Sequence, residues 1–109
     1  MSNSQTVNLD VLRSLAFGSI SGTYAAVGTP LTFPARLICF TNNTDGDMFF
    51  SNDGVNNNLF VAASSFKLFD LETNRILQQQ FWVFPIGTQF YVKQSTAPTK
   101  GAVYIEVLG

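Results

Sequence analysis

The sequence predicts an all-β domain, a jelly-roll-like antiparallel β-sandwich of seven to eight short strands, and three observations carry that prediction. Residues 36–70 set two apolar runs, 37–40 and 48–51, on either side of Asn42-Asn43-Thr44-Asp45-Gly46-Asp47. This is a hairpin signature: Asn, Asp and Gly reach left-handed backbone angles at little steric cost, and the flanking β-branched and aromatic residues suit a pleated, half-buried surface. Turn clusters then recur at short spacing, Asn52-Asp53-Gly54 and Asn56-Asn57-Asn58, leading into runs at 59–62 and 66–71. Finally, residues 102–108 alternate strictly, with Val103, Ile105 and Val107 on one side and Tyr104 and Glu106 on the other.

Taken from the start, residues 1–7 read as a polar arm, flexible or bound to a partner, and residues 8–109 as one β-sandwich domain. A length of 109 residues suits one domain with its own core, and two would each be too small. The uncharged start Met1-Ser2-Asn3-Ser4-Gln5-Thr6 does not read as a secretory signal. Leu9, Leu12 and Leu15 fit either a short helix capped by Asn8 or the first strand. A strand follows around 20–26, with Gly22 as a bulge or bend. Pro30 and Pro34 then exclude helix and favour an extended crossing from one sheet to the other.

In residues 36–41, Ile38 and Phe40 point one way and Leu37 and Cys39 the other, so both faces are apolar. Such a strand is central, or is covered on its outer face by a partner. In residues 48–51, Met48 and Phe50 face inward, leaving Phe49 exposed unless something packs on it. Residues 72–80, with three glutamines, read as a loop before Phe81-Trp82-Val83-Phe84, where alternation cannot bury every ring against one core. In residues 89–94, Phe90 and Val92 point in and Tyr91 and Lys93 out, and residues 95–101 form a polar hairpin loop.

Composition narrows the function. The chain is 46% hydrophobic with eleven Phe, yet only 12% charged, against roughly 25% for an average soluble domain. A free monomer keeps itself soluble with mixed surface charge, so this shortage argues that other protein covers part of the surface. The six basic and seven acidic residues are scattered singly, which gives no electrostatic footprint for nucleic acid, and no apolar run approaches the roughly 20 residues of a membrane span.

The chain has no histidine, and so lacks the commonest general base and nitrogen metal ligand. Cys39 alone makes neither a disulfide within the chain nor a zinc site, and reads as a buried small hydrophobe. Gly18-Ser19-Ile20-Ser21-Gly22 looks like a hydrolase elbow, but Ile20 stands where the nucleophile belongs. Asp45-Gly46-Asp47, with Asp53 beyond, is the one acidic cluster to weigh for calcium, and carboxylates bonding their own turns explain it better. Asn42-Asn43-Thr44 is formally a glycosylation acceptor, discounted for want of a secretory signal. No catalytic residue, metal ligand or cofactor site follows, and the chain does not read as an enzyme.

The functional weight falls on Phe49, Phe81, Trp82, Phe84, Tyr91 and Tyr104. They are core residues, or a subunit contact surface of the kind that enriches for Trp, Tyr and Phe, or, for Trp82 with a tyrosine, a stacking platform for sugar.

Ile20-Ser21-Gly22-Thr23-Tyr24, Pro34-Ala35-Arg36-Leu37-Ile38, the hairpin from Thr41-Asn42-Asn43-Thr44 to Ser51-Asn52-Asp53-Gly54, residues 66–71, Gly87-Thr88-Gln89-Phe90-Tyr91-Val92-Lys93 and Gly101-Ala102-Val103-Tyr104-Ile105 together resemble small all-β virion proteins of tailed bacteriophages. The likeness covers most of the chain through strand texture and turn placement, without a diagnostic motif. It implies a structural role in the virion: a capsid decoration, cement or staple protein, or a head–tail or tail component. It also implies a dimer or trimer partnered by the major capsid protein or other virion proteins. A carbohydrate-binding module on a tail appendage is the alternative. No site residue transfers.

Overall fold

The structure, a computed structural model, describes residues 9–70 and 84–108. The arm at residues 1–7, the glutamine run, Phe81 and Trp82 therefore lie outside the described residues.

Among the described residues eight strands form two four-stranded antiparallel sheets: β1 (Arg13–Ala16), β2 (Ala25–Ala26), β3 (Leu37–Thr44), β4 (Met48–Ser51), β5 (Leu59–Val61), β6 (Ser65–Asp70), β7 (Tyr91–Gln94) and β8 (Gly101–Leu108). One sheet has the order β1-β8-β3-β6 and the other β2-β7-β4-β5. The pairings nest around the β4–β5 hairpin: β3 pairs β6 and β1 pairs β8 in one sheet, while β2 pairs β7 in the other. A long hairpin rolled up so that β3 also meets β8, and β4 also meets β7, gives this order. It is the jelly-roll topology the sequence predicts.

The two inner faces interdigitate as the alternation requires. Ile38 and Phe40 of β3, Met48 and Phe50 of β4, Val61, Val92, and Val103, Ile105 and Val107 of β8 are all buried. Each contributes roughly 1.5–3 kcal/mol by leaving water. Phe40 is the hub, its ring 5.2 Å from Phe50, 5.4 Å from Phe90 and 6.1 Å from Phe69. The edge-on contacts with Phe90 and Phe69 bring the positive rim of one ring to the negative face of the next.

One open alternative is decided and two expectations are corrected. Of helix or strand for residues 8–15, strand holds at Arg13–Ala16, which pairs in register with β8, while Leu9 makes a single bridge to Leu108. Neither residues 42–47 nor residues 95–101 close a hairpin: β3 and β4, and β7 and β8, lie in different sheets, so both loops carry the chain across the sandwich. Residues 20–26 are not one strand: a 3₁₀ turn occupies Phe17–Ser19, and only Ala25–Ala26 pair with β7. The reason is local. Ser21 Oγ accepts the Thr23 N–H at 3.2 Å, so the side chain supplies a turn where the backbone would otherwise extend. Pro30 and Pro34 lie in the irregular crossing, held by Leu31 N–H to Thr88 O and Ala35 N–H to Phe84 O.

Gly101 opens β8 at φ 91°, and a Cβ there would lie 2.0 Å from the Asn43 carbonyl oxygen. Gly101→Ala is therefore expected to cost about 3 kcal/mol through left-handed strain plus the clash. Thermal unfolding should show a Tm drop of roughly 10–20 °C.

Candidate interaction surfaces

With the inner faces committed to the core, function falls to the outer faces and edges. On the outer face of β1-β8-β3-β6 the register sets Tyr104 between Ser14 and Thr41, and Thr41 beside Phe66. The next row runs Glu106, Cys39, Leu68. Tyr104, Leu37, Cys39 and Leu108 are half-buried, whereas Phe66 and Leu68 are 63% and 55% exposed. Cys39 is thus a half-buried residue on an outer face rather than a core one, with its sulfur 3.7 Å from Thr41 Oγ1.

The outer face of β2-β7-β4-β5 carries a row of rings. Phe49 packs on Phe60 at 5.5 Å, which answers what covers Phe49, and Phe60 itself stays 41% exposed. Lys93 Nζ sits 4.9 Å from the centre of the Tyr24 ring and 5.9 Å from that of Phe49. The cation tethers the row through the negative faces of both rings. Tyr24 donates to Asn57 Oδ1 at 2.6 Å and to Asn56 O at 3.1 Å; burial, and then the nearby Asp53 charge, raise its pKa above the ordinary tyrosine value. Tyr91 is half-buried, with its ring 3.5 Å from where a Cβ on Gly54 would stand.

Phe84 is half-buried and turned to the core, edge-on to Phe90 at 5.1 Å. Together with Phe40, Phe50, Phe69 and Leu59 it lines a cavity of about 240 Å³ between the sheets, rimmed by Ser51, Asn52 and Asn58. Of the six rings singled out in the sequence, Phe49 and Tyr91 thus share one outer face, Tyr104 lies on the opposite one, and Phe84 lies at the cavity. Phe66, Leu68, Phe60 and Tyr24 were not singled out. Phe66 and Leu68 form a period-two pair whose alternate positions, Ser65, Lys67 and Phe69, are mixed, and the pairing with β3 turns that mixed side inward.

The acidic turn residues hold their own loops. Asp45 accepts from the Thr99 hydroxyl and from the Thr99 N–H at 2.7 Å, tying the β3–β4 turn to the β7–β8 loop, and these bonds, the hydroxyl's first, lower its pKa. Asp47 Oδ1 accepts the Ala63 N–H at 2.9 Å. Asp53 accepts from Ser51 Oγ at 2.6 Å and from the Asn56 and Val55 N–H groups, each at 2.9 Å, and is held well below the usual carboxylate range. Among the described residues no group of three or more His, Cys, Asp or Glu is placed to hold a metal ion. No helix among them is long and apolar enough to cross a membrane.

No family model matches the chain, and no curated protein matches it. Among solved structures, one described by the words "Bacillus endospore appendages form a novel family of disulfide-linked pili" is similar over 99% of this chain and 92% of that one. The identity is 13% and the TM-score 0.49. These comparisons do not reproduce the likeness to bacteriophage virion proteins.

Proposed function

We propose that the chain is a non-enzymatic structural subunit of a virion, a capsid decoration or cement protein that works by packing against its neighbours. The observation that carries this reading is the chemistry of the outer faces. A chain with 12% charged residues leaves Phe66, Leu68, Phe60, Val55 and Ile86 exposed on or beside its sheets. Tyr104 and Phe49 stand half-buried on opposite outer faces. Rings and aliphatic groups on a rigid sandwich suit contacts that bury area, and repetition over a lattice makes many modest contacts collectively strong. The carboxylates of the turns are taken up in hydrogen bonds, which favours packing over acid–base chemistry as the working principle.

Electron cryomicroscopy of particles carrying the chain tests the reading. Density for the sandwich should repeat over the shell in register with its subunits. Density confined to the tail would move the role to a tail or head–tail component, and absence from particles would overturn it. At residue level, Tyr104→Lys is expected to change folding stability by less than about 1 kcal/mol while weakening association with shells by ~2 kcal/mol or more. Sedimentation of the variant with shells, beside its melting curve, checks this. A variant that fails to fold would assign Tyr104 to the fold instead.

A further inference from the structure

We propose that β6 is the edge through which two copies of this chain join, strand to strand, into one continuous antiparallel sheet. The inference rests on the self-associating structural role above and deepens it by naming the surface. Among the described residues, β6 ends its sheet, paired on one side to β3 over six residues. The other three edge strands among them, β1, β2 and β5, have four, two and three residues, too short to template much pairing. Natural sheets blunt long edges with proline, bulges, charges or cover, because an open ladder of N–H and C=O groups recruits another strand. Ser-Phe-Lys-Leu-Phe-Asp contains no proline, pairs with β3 without a register break, leaves Phe66 and Leu68 on the outer face, and carries one such charge on its inner side, Lys67, which pairing about Leu68 places against a ring.

The strand's own pattern selects a second copy, and one register. Two antiparallel copies are related by a two-fold axis normal to the sheet, so residues on one face meet residues on that face and the axis passes through a residue. An axis at Lys67 sets two ammonium groups opposite each other, and an axis at Phe69 leaves Phe66 outside the pairing. An axis at Leu68 pairs the whole run from Phe66 to Asp70: Leu68 meets Leu68 of the second copy. On the other face, where Lys67 stands opposite Phe40 and Phe69 opposite Ile38, Lys67 comes to lie against Phe69 of the second copy. That contact, a cation over a ring, occurs twice about the axis. The outer row then reads Glu106, Cys39, Leu68, Leu68, Cys39, Glu106 across the joined sheet, burying the two exposed leucines against each other.

Sedimentation equilibrium of the full chain, from micromolar to near-millimolar concentration, tests this against two variants. The wild type should dimerise. Leu68→Lys, which places two like charges at the axis on a face outside the core, should keep the wild-type melting curve at concentrations where both are monomeric and raise the dimer dissociation constant about 100-fold or more. In a Cys39→Ser background, chosen because Cys39 lies opposite Leu68 within one chain, Leu68→Cys should oxidise to a covalent dimer. If the wild type associates and Leu68→Lys associates equally, β6 is not the interface although the structural role stands. A wild type that remains monomeric yet binds particles likewise rules out β6 and keeps the role; a monomer absent from particles overturns both. Slow exchange in a monomer of those β6 amides that point away from β3 also overturns the proposal, by showing that another part of the chain pairs with β6.

Discussion

Replacing Asn42 with alanine is expected to destabilise the sandwich by about 3–5 kcal/mol, since five polar groups each lose a hydrogen bond at once and Asn42 itself stands where water does not reach. Asn42 is fully buried at the inner face of β3. Its Nδ2 donates to Gly46 O at 2.8 Å, Val61 O at 3.0 Å and Ala62 O at 3.2 Å, while its Oδ1 accepts the Thr44 N–H at 3.1 Å and the Thr44 hydroxyl at 2.6 Å. One amide thereby joins the β3–β4 turn to the end of β5, clamping the two sheets at the innermost hairpin of the roll. Asn42→Asp, nearly isosteric, should be worse than alanine at neutral pH, because a carboxylate oxygen then faces three carbonyl oxygens. A buried, repelled carboxyl has a folded pKa above its unfolded value, so stability is greatest below the unfolded pKa and is lost as pH rises through the folded one. Urea unfolding near pH 4 and near pH 7 should show the aspartate variant closing part of its gap to the wild type at the acid end. An alanine variant within about 1 kcal/mol of wild type would show that the clamp carries little weight.

Asn42 also marks where the sequence stops being legible. It opens a string of turn-forming residues and reads as part of the turn, yet it lies within β3 with its side chain in the core. Turn chemistry located the reversal between β3 and β4 but not that it crosses from one sheet to the other; which Asn would face inward depended on the register of β3 against β6 and β8, fixed by pairing over tens of residues. The stripes of β3, β4, β7 and β8 were readable because alternation is a local property. Residues 20–26 were misread because small and β-branched residues alternate there, while Ser21 bonds into its own turn. Phe49 and Tyr104 were legible as outward rings. Phe66 and Leu68 were not, since alternation marks them as the apolar stripe of β6 and only its pairing with β3 puts Lys67 and Phe69 on the inner side instead. The topology follows the same logic: nested pairing around β4–β5 is a statement about distant partners, legible only as a tendency of many short strands to close on themselves.

Arg13 is the second site whose removal is expected to be costly, and nothing near it in the chain announces burial. It is 1% exposed on β1. Its Nη2 meets Asp10 Oδ2 at 2.8 Å, and the guanidinium also donates to Thr29 O at 2.6 Å, Pro30 O at 3.0 Å and Val11 O at 3.1 Å. The side chain thus staples the proline-containing crossing to the edge of the β1-β8-β3-β6 sheet. Gly28 makes room for it, since a Cβ there would stand 2.6 Å from Arg13 Cγ. Arg13→Met keeps the apolar stem but takes the cation from Asp10, whose Oδ1 keeps the Val11 N–H, and the guanidinium donors from three carbonyls, for an expected loss of about 3–5 kcal/mol.

The pH dependence separates charge from packing at this site. Burial raises the Asp10 pKa, but the Arg13 hydrogen bond, the Val11 N–H and the Arg13 charge outweigh it and hold the carboxyl below its ordinary value. A depressed folded pKa contributes stability that is full above the unfolded pKa, near 4, and disappears as pH falls through the folded value. In Arg13→Met the same carboxyl is buried without its cation and shifts upward, so the deficit relative to wild type should be largest at pH 6–7 and narrow towards pH 3. Adding Asp10→Asn to Arg13→Met should recover part of the loss at neutral pH and remove that narrowing, whereas a deficit independent of pH in both variants would assign the role of Arg13 to packing alone.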